Sequence, residues 1–268
     1  MPEVVDLLSL KGKIAMVTGG CQNFGREIAD GLAEAGAETV IVTSRDMDKA
    51  REAAAQFEKI HGTPFVPMAL DLRSESSVDA LFAEVEKRFG RLDVLVNNAG
   101  GHSKTACGLL EKESIEGWHD FIEANLTGTF MMLRDYARLM MPQNRGGSVI
   151  NIASMAGVVG RDRRIYAPGM IPNPVAYSAA KAGIIGLTYD VAAYLGPYGI
   201  RVNAVSPGGF ERTQPAAFIH DYSELTMLRR MGRQGYDLKG VVVFLASDAA
   251  GYVTGHNLLV DGGFTRYK

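Results

Sequence analysis

The chain has 268 residues, 47% of them hydrophobic and 22% charged, enough to bury one α/β core without dividing into several domains. A net charge of −2 offers no basic field for a nucleic acid, and no apolar run reaches the roughly 18 residues that a membrane span needs. Two cysteines, Cys21 and Cys107, exclude a disulfide framework, and Met1 to Lys13 lacks a signal-peptide pattern, so a soluble cytoplasmic single domain over residues 1–268 is expected.

Lys13 to Thr18 is a short apolar run that ends in Thr18-Gly19-Gly20-Cys21-Gln22-Asn23-Phe24-Gly25. Phe24, Ile28, Leu32 and Ala35 then recur at helical spacing, and Glu38 to Thr43 is a β-branched strand. Strand, glycine turn and helix in that order let backbone N–H groups and the helix dipole approach a pyrophosphate, which predicts dinucleotide binding. The second strand closes on Ser44-Arg45 with no carboxylate at its tip. An Arg there pairs with a 2′-phosphate, so NADP(H) is favoured; Ser44 alone serves either cofactor, and NAD(H) stays open.

The alternation continues with a surface helix over Asp48 to His61 and a third strand over Pro64 to Leu70, ending at Asp71-Leu72. Ser74 is placed to cap a helix that runs to Phe89, and Leu92 to Val96 is a fourth strand closing on Asn97-Asn98-Ala99-Gly100-Gly101. Trp118 to Met141 reads as one long helix with Asn125 buried in its middle, where an amide needs a hydrogen-bonding reason. Gly147 to Ala153 is a fifth strand with Ser154 at its tip.

The stretch between Ser154 and Tyr177 is rich in Gly, Pro and Arg, and a loop of that length is usually functional or mobile. Tyr177-Ser178-Ala179-Ala180-Lys181 follows in an Ala-rich helix, where i and i+4 share a face and a cation beside a phenol stabilises phenolate. Arg201 to Val205 is a sixth strand followed by Ser206-Pro207-Gly208-Gly209. Gln214 to Gln234 reads as irregular with helical patches, which makes about 209–235 a candidate lid. A helix over Leu238 to Ala246 and a strand over Asn257 to Val260 complete the chain. The pattern predicts a Rossmann-type, doubly wound parallel sheet of about seven strands with helices on both faces.

In order and spacing, the glycine turn, Asp71, Asn97-Asn98-Ala99-Gly100, Asn125, Ser154, Tyr177-x-x-x-Lys181 and Pro207-Gly208 resemble the short-chain dehydrogenase/reductase family from about Leu10 to Phe264. The resemblance implies that Tyr177 is the general acid/base, that Lys181 depresses its pKa and holds the nicotinamide ribose, and that Ser154 donates to the substrate oxygen. Asn125 would hold the water that relays protons to Lys181. The cofactor would lie along Gly19, Cys21, Gln22, Asn23, Phe24, Gly25, Ser44, Arg45, Asp71, Leu72, Asn98, Ala99, Gly100, Tyr177, Lys181, Pro207 and Gly208. No metal is implied, and a homodimer or homotetramer is.

Two departures stand out: Asn23 replaces the family's usual middle Gly, and the interval from Ser154 to Tyr177 is longer than its commonest form. That interval, an insertion at about 157–174, resembles one in a gluconate 5-dehydrogenase-like subgroup acting on polyhydroxylated, often anionic sugars. Arg161, Arg163 and Arg164 in it are candidate anion ligands, beside Ser154, Tyr177, His102, Gly209 and Phe210 as substrate contacts. The expected activity is therefore alcohol–carbonyl interconversion on a sugar-type small molecule. The alternatives are a 3-oxoacyl thioester reductase and a nucleotide-binding sensor without catalysis.

Overall fold

The computed structural model describes residues 2–100 and 108–266. A short helix α1 (Val4–Leu8) precedes β1 (Ile14–Val17), α2 (Asn23–Glu34), β2 (Thr39–Ser44), α3 (Met47–His61), β3 (Phe65–Ala69), α4 (Glu75–Phe89) and β4 (Val94–Asn97). The second half holds α5 (Ile115–Ile122), α6 (Gly128–Met140), β5 (Gly147–Ile152), α7 (Val175–Leu195), β6 (Ile200–Pro207), α8 (Ala216–Glu224), α9 (Lys239–Ala246) and β7 (Asn257–Val260). All seven strands pair in parallel in the order β3-β2-β1-β4-β5-β6-β7. The order reverses between β1 and β4, so a crevice opens there beyond the carboxyl ends of the strands.

Side chains alternate across each strand and build two cores. Ala15 and Val17 of β1 pack with Ile28 and Leu32 of α2, Phe57 of α3 and Leu245 of α9 on one face. Ile14 and Met16 pack with Val78 and Phe82 of α4, Met132 and Tyr136 of α6 and Leu195 of α7 on the other. Local chemistry fixes where helices begin. Asp46 accepts from the Asp48 and Lys49 amides at 3.1 and 3.2 Å to cap α3, and Ser74 accepts from the Ser77 amide at 3.2 Å to cap α4.

Two expectations change. The single helix expected over Trp118 to Met141 starts earlier and is two helices, α5 and α6, joined by a π-helical turn over Glu123–Thr127. The Gly128 amide there reaches back five residues to the Glu123 carbonyl, and Asn125 sits inside the widened turn. The stretch expected to be irregular with helical patches over Gln214 to Gln234 holds such a patch, the helix α8. Helix α1 lies at the N-terminus, where no helix was expected.

Candidate active site

A cleft of about 950 Å³ lies over the crevice between β1 and β4. Its floor at one end is the glycine turn. Thr18, buried at the end of β1, accepts at Oγ1 from the Asn98 and Ala99 amides at 3.0 and 2.9 Å, and its carbonyl accepts from Asn98 Nδ2 at 2.9 Å. The turn is thereby tied to the tip of β4. Gly19 has φ +64°, and Asn23 has φ +51° where the family usually keeps glycine. Asn tolerates the left-handed region, so the turn keeps its course into α2. A Cβ on Gly25 would run into the Gly19 carbonyl and come within 2.6 Å of Asn98 Nδ2. Bare backbone is required at that point.

Ser44, Arg45, Asp71, Leu72, Asn98, Ala99, Gly100, Pro207 and Gly208 line the same cleft, as do Cys21, Gln22 and Phe24. Arg45 is exposed and has no ion-pair partner among the described residues. The carboxylate that follows it, Asp46, is engaged in capping α3; the Lys49 amide above all holds its pKa below the usual carboxylate value. Arg26 and Lys49 add positive charge to this end. Asp71 accepts from the Arg73 amide at 3.1 Å, and burial pushes the Cys21 thiol up, away from thiolate.

At the other end, α7 follows β5 and brings its first turns over Ser154. Ser154 is buried and accepts from the Ala156 amide at 3.2 Å. The Tyr177 ring meets Phe121 edge-on at 6.0 Å between centroids. Lys181 is buried, donates to the Ile152 carbonyl at 2.7 Å and lies 5.9 Å from the Tyr177 ring centroid. Asn125 donates from Nδ2 to the Phe121 carbonyl at 2.9 Å, while its own carbonyl accepts from Thr129 Oγ1 at 2.6 Å. A Cβ on Gly100 would come within 2.5 Å of Asn125 Oδ1, so the β4 tip closes directly on the π turn.

Burial raises the Tyr177 phenol pKa, against the Ser154 hydrogen bond and the charges of Arg161 and Arg212. Burial also pushes Lys181 down to about 8. The resemblance implies that Lys181 lowers the Tyr177 pKa; in this structure the charges of Arg161 and Arg212 also favour the phenolate.

The expected substrate residues separate. Arg161 is half-buried and binds the Asn173 carbonyl at 2.6 Å, whereas Arg163 is exposed. Arg164 turns outward, paired with Asp162 at 2.6 Å with its side chain 88% exposed. None of Arg161, Arg163, Arg164, Gly209 and Phe210 is among the residues that line the cleft, although Arg161 binds Asn173, which does. Gly209 sits against the Tyr222 ring, whose hydroxyl accepts its amide at 2.5 Å, and Phe210 is buried edge-on to Phe24 at 4.7 Å. His102 lies outside the described residues.

Sequence reasoning missed two groups. Arg212 lines the cleft with its guanidinium 4.7 Å over the Phe24 ring, a contact that no local spacing signals. Phe218 and Tyr222 of α8 pack with Met155, Met231, Tyr166 and Met170, so the helix of the expected lid and the insertion share one apolar wall. An i, i+4 aromatic pair in an otherwise polar stretch was the available signal.

The family model described as enoyl-(acyl carrier protein) reductase matches residues 19–265. Over 260 residues the chain is 35% identical to the 3-oxoacyl-[acyl-carrier-protein] reductase FabG of Aquifex aeolicus (strain VF5), covering 96% of this chain and 98% of that one. The chain belongs to the short-chain dehydrogenase/reductase family.

This short-chain dehydrogenase/reductase is also 34% identical over 265 residues to the 2-dehydro-3-deoxy-D-gluconate 5-dehydrogenase of Formosa agariphila, covering 97% and 95% of the two chains. The crystal structure of a gluconate 5-dehydrogenase from Burkholderia cenocepacia J2315, in complex with NADP and tartrate, matches at a TM-score of 0.87 and 32% identity. That match covers 98% of this chain and 99% of the other. The protein is thus an oxidoreductase acting on CH–OH groups, with a nicotinamide dinucleotide as cofactor. The cradle fits that group: only bare backbone at Gly25 clears the Gly19 carbonyl and keeps the turn tight, and small residues line the cleft around it. Among the described residues no helix is long and apolar enough to cross a membrane, and no cluster of His, Cys, Asp and Glu is suited to a metal ion.

Proposed function

We propose that this short-chain dehydrogenase/reductase interconverts a secondary alcohol, or a sugar hemiacetal, and its carbonyl on a polyhydroxylated, anionic sugar or sugar acid, with NADP(H) preferred. The observation that carries the reading is one cleft with the glycine cradle and Arg45 at one end and Asn125, Ser154, Tyr177 and Lys181 at the other. Bound there, the cofactor supplies the hydride acceptor or donor. Gly19 to Gly25 would hold its pyrophosphate, Asp71 its adenine and Lys181 its nicotinamide ribose.

As an alcohol is oxidised, Tyr177 takes the hydroxyl proton while Ser154 donates to the same oxygen and steadies the charge that develops on it. Reduction runs the same steps backwards. Asn125 would position the relay by which Lys181 restores the proton balance of Tyr177. Arg45, free of ion pairing among the described residues beside a committed Asp46, supports NADP(H) over NAD(H). The sugar-type substrate is supported by the insertion and by the likeness to the gluconate 5-dehydrogenase bound to NADP and tartrate.

A second reading has a specific observation behind it. The 3-oxoacyl-[acyl-carrier-protein] reductase FabG of Aquifex aeolicus is 35% identical to this chain over 260 residues, and Met155, Phe218, Tyr222 and Met231 form a buried apolar cluster beside the insertion. Initial rates at nicotinamide wavelengths decide between them, across polyols, aldoses, aldonates, phosphorylated and sulfonated sugars and a 3-oxoacyl thioester, each with both cofactors. Turnover confined to the sugar-type set is expected, faster with NADP(H); reduction of the thioester alone overturns it. We also assign a homo-oligomer, dimer or tetramer, in the cytoplasm. The exposed Phe130, Tyr189 and Tyr194 support self-association, and light scattering reads its order.

A further inference from the structure

Among the three arginines of the insertion, one is built differently from the rest. Arg164 spends its charge on Asp162 through Nε to Oδ1 at 2.9 Å and Nη2 to Oδ2 at 2.6 Å, and Arg163 is exposed. Arg161 instead reaches back to the turn that starts α7. Its Nη2 donates to the Asn173 carbonyl at 2.6 Å and to the Pro174 carbonyl at 3.4 Å. The same Pro174 carbonyl accepts the amide of Tyr177 at 3.1 Å, and Asn173 lines the cleft. The guanidinium is therefore clamped to the peptide groups immediately preceding the tyrosine.

Its second terminal nitrogen is not satisfied. Arg161 Nη1 is buried and has no hydrogen-bond partner among the described residues. The Tyr166 hydroxyl lies beside the guanidinium and favours its charged form, without a hydrogen bond of normal geometry to Nη1. A buried donor on a cation that lacks an acceptor is costly, so it calls for an anionic partner from outside the chain. An open Nη1 suits a carboxylate oxygen, which a single charge-assisted hydrogen bond can hold.

We propose that Arg161 is the substrate-reading residue of the site, its free Nη1 taking the carboxylate of a hydroxy acid whose carbinol then faces Tyr177 and Ser154. The assignment rests on the oxidoreductase reading above for where the substrate sits. It explains why a charge is held half-buried in a loop where Arg163 and Arg164 remain in solvent. The charge that reads the carboxylate also favours the phenolate of Tyr177, so recognition and proton transfer draw on one cation.

The test is calorimetric titration of sodium tartrate into the NADPH-loaded enzyme, for wild type, R161Q and R161K. R161Q keeps an amide donor for the Asn173 and Pro174 carbonyls but has no charge. Tartrate binding at least about tenfold weaker in R161Q, with NADPH affinity unchanged and R161K between the two, is expected for a lost charge-assisted hydrogen bond. With D-gluconate the same loss is expected to appear in KM, whereas KM for the neutral D-glucitol changes by less than about twofold, and any fall in kcat from the lost charge beside Tyr177 is shared by both substrates. Equal tartrate affinity in wild type and R161Q, or no binding by wild type, overturns the assignment. If R161Q loses NADPH binding, R164Q serves as the control for the loop: equal weakening of tartrate in R164Q and R161Q also overturns it. Arg161-dependent tartrate binding by an enzyme that reduces only 3-oxoacyl thioesters would instead overturn the sugar reading and leave Arg161 in place.

Discussion

Tyr177 and Lys181 show how a helix can carry chemistry that its own stability disfavours. Burial raises the phenol and drives the ammonium down to about 8, so each group is held away from its charged form. Y177F is expected to retain NADPH binding by fluorescence titration and to lose at least about 10²-fold in kcat. Unchanged turnover removes Tyr177 from the proton step. For Lys181 the sign follows from proton counts. Its pKa lies at about 8 in the folded chain against an ordinary 10.5, so between those values the unfolded chain binds the extra proton and stability rises with pH. Below that window both states are protonated and the full penalty of the buried charge is present. Relative to K181M, the wild-type unfolding free energy from urea melts is expected to rise by up to about 3 kcal/mol across the window. A difference that stays flat with pH means that Lys181 titrates normally.

Among the elements, the glycine turn and the α5–α6 junction were legible to different degrees. The turn's position between a buried strand and an amphipathic helix announced it, and Asn23 in the left-handed region is a substitution that local backbone preference explains. At Gly25 the turn has no slack. G25A is expected to weaken NADPH by at least about tenfold in a fluorescence titration, because the new Cβ meets the Gly19 carbonyl and the turn must shift. Wild-type affinity in G25A would place the pyrophosphate elsewhere. The π turn was not legible. Glu123 to Thr127 holds no glycine or proline, so periodicity alone extends the helix through it. The visible hint was a buried amide in mid-helix; what it signalled was a register change that Thr129 stabilises from one turn on.

In the whole molecule, two ends of one cleft are assembled from strands whose tips meet only because the sheet order turns over between β1 and β4. Arg45 follows β2 in one half of that sheet and Tyr177 lies between β5 and β6 on the other side of the reversal, and one cleft joins them. NADPH at about 100 times its Kd is expected to stabilise the fold by about 2.7 kcal/mol and to raise Tm by about 5–10 °C. In R45A that shift should fall to the one NADH gives, since only the 2′-phosphate contact is removed. Equal losses for both cofactors would take the 2′-phosphate away from Arg45.

The sequence alone determined the βα alternation, the parallel sheet it requires and the chain order of turn, amide, serine, tyrosine and lysine. Each of these is written in local spacing: period two in strands, period near 3.6 in helices, small residues at strand tips. The tertiary structure decided what depends on contacts between segments distant in the chain. It set Arg212 over Phe24, packed α8 against the insertion, withdrew Gly209 and Phe210 from the cleft and turned Arg161 inward while Arg164 closed on Asp162. A charged or aromatic side chain in a loop has several partners within reach in the unfolded sequence, and only the packed fold selects among them. That is why the chemistry was readable from the chain, while the choice of Arg161 among the three arginines of the insertion was not.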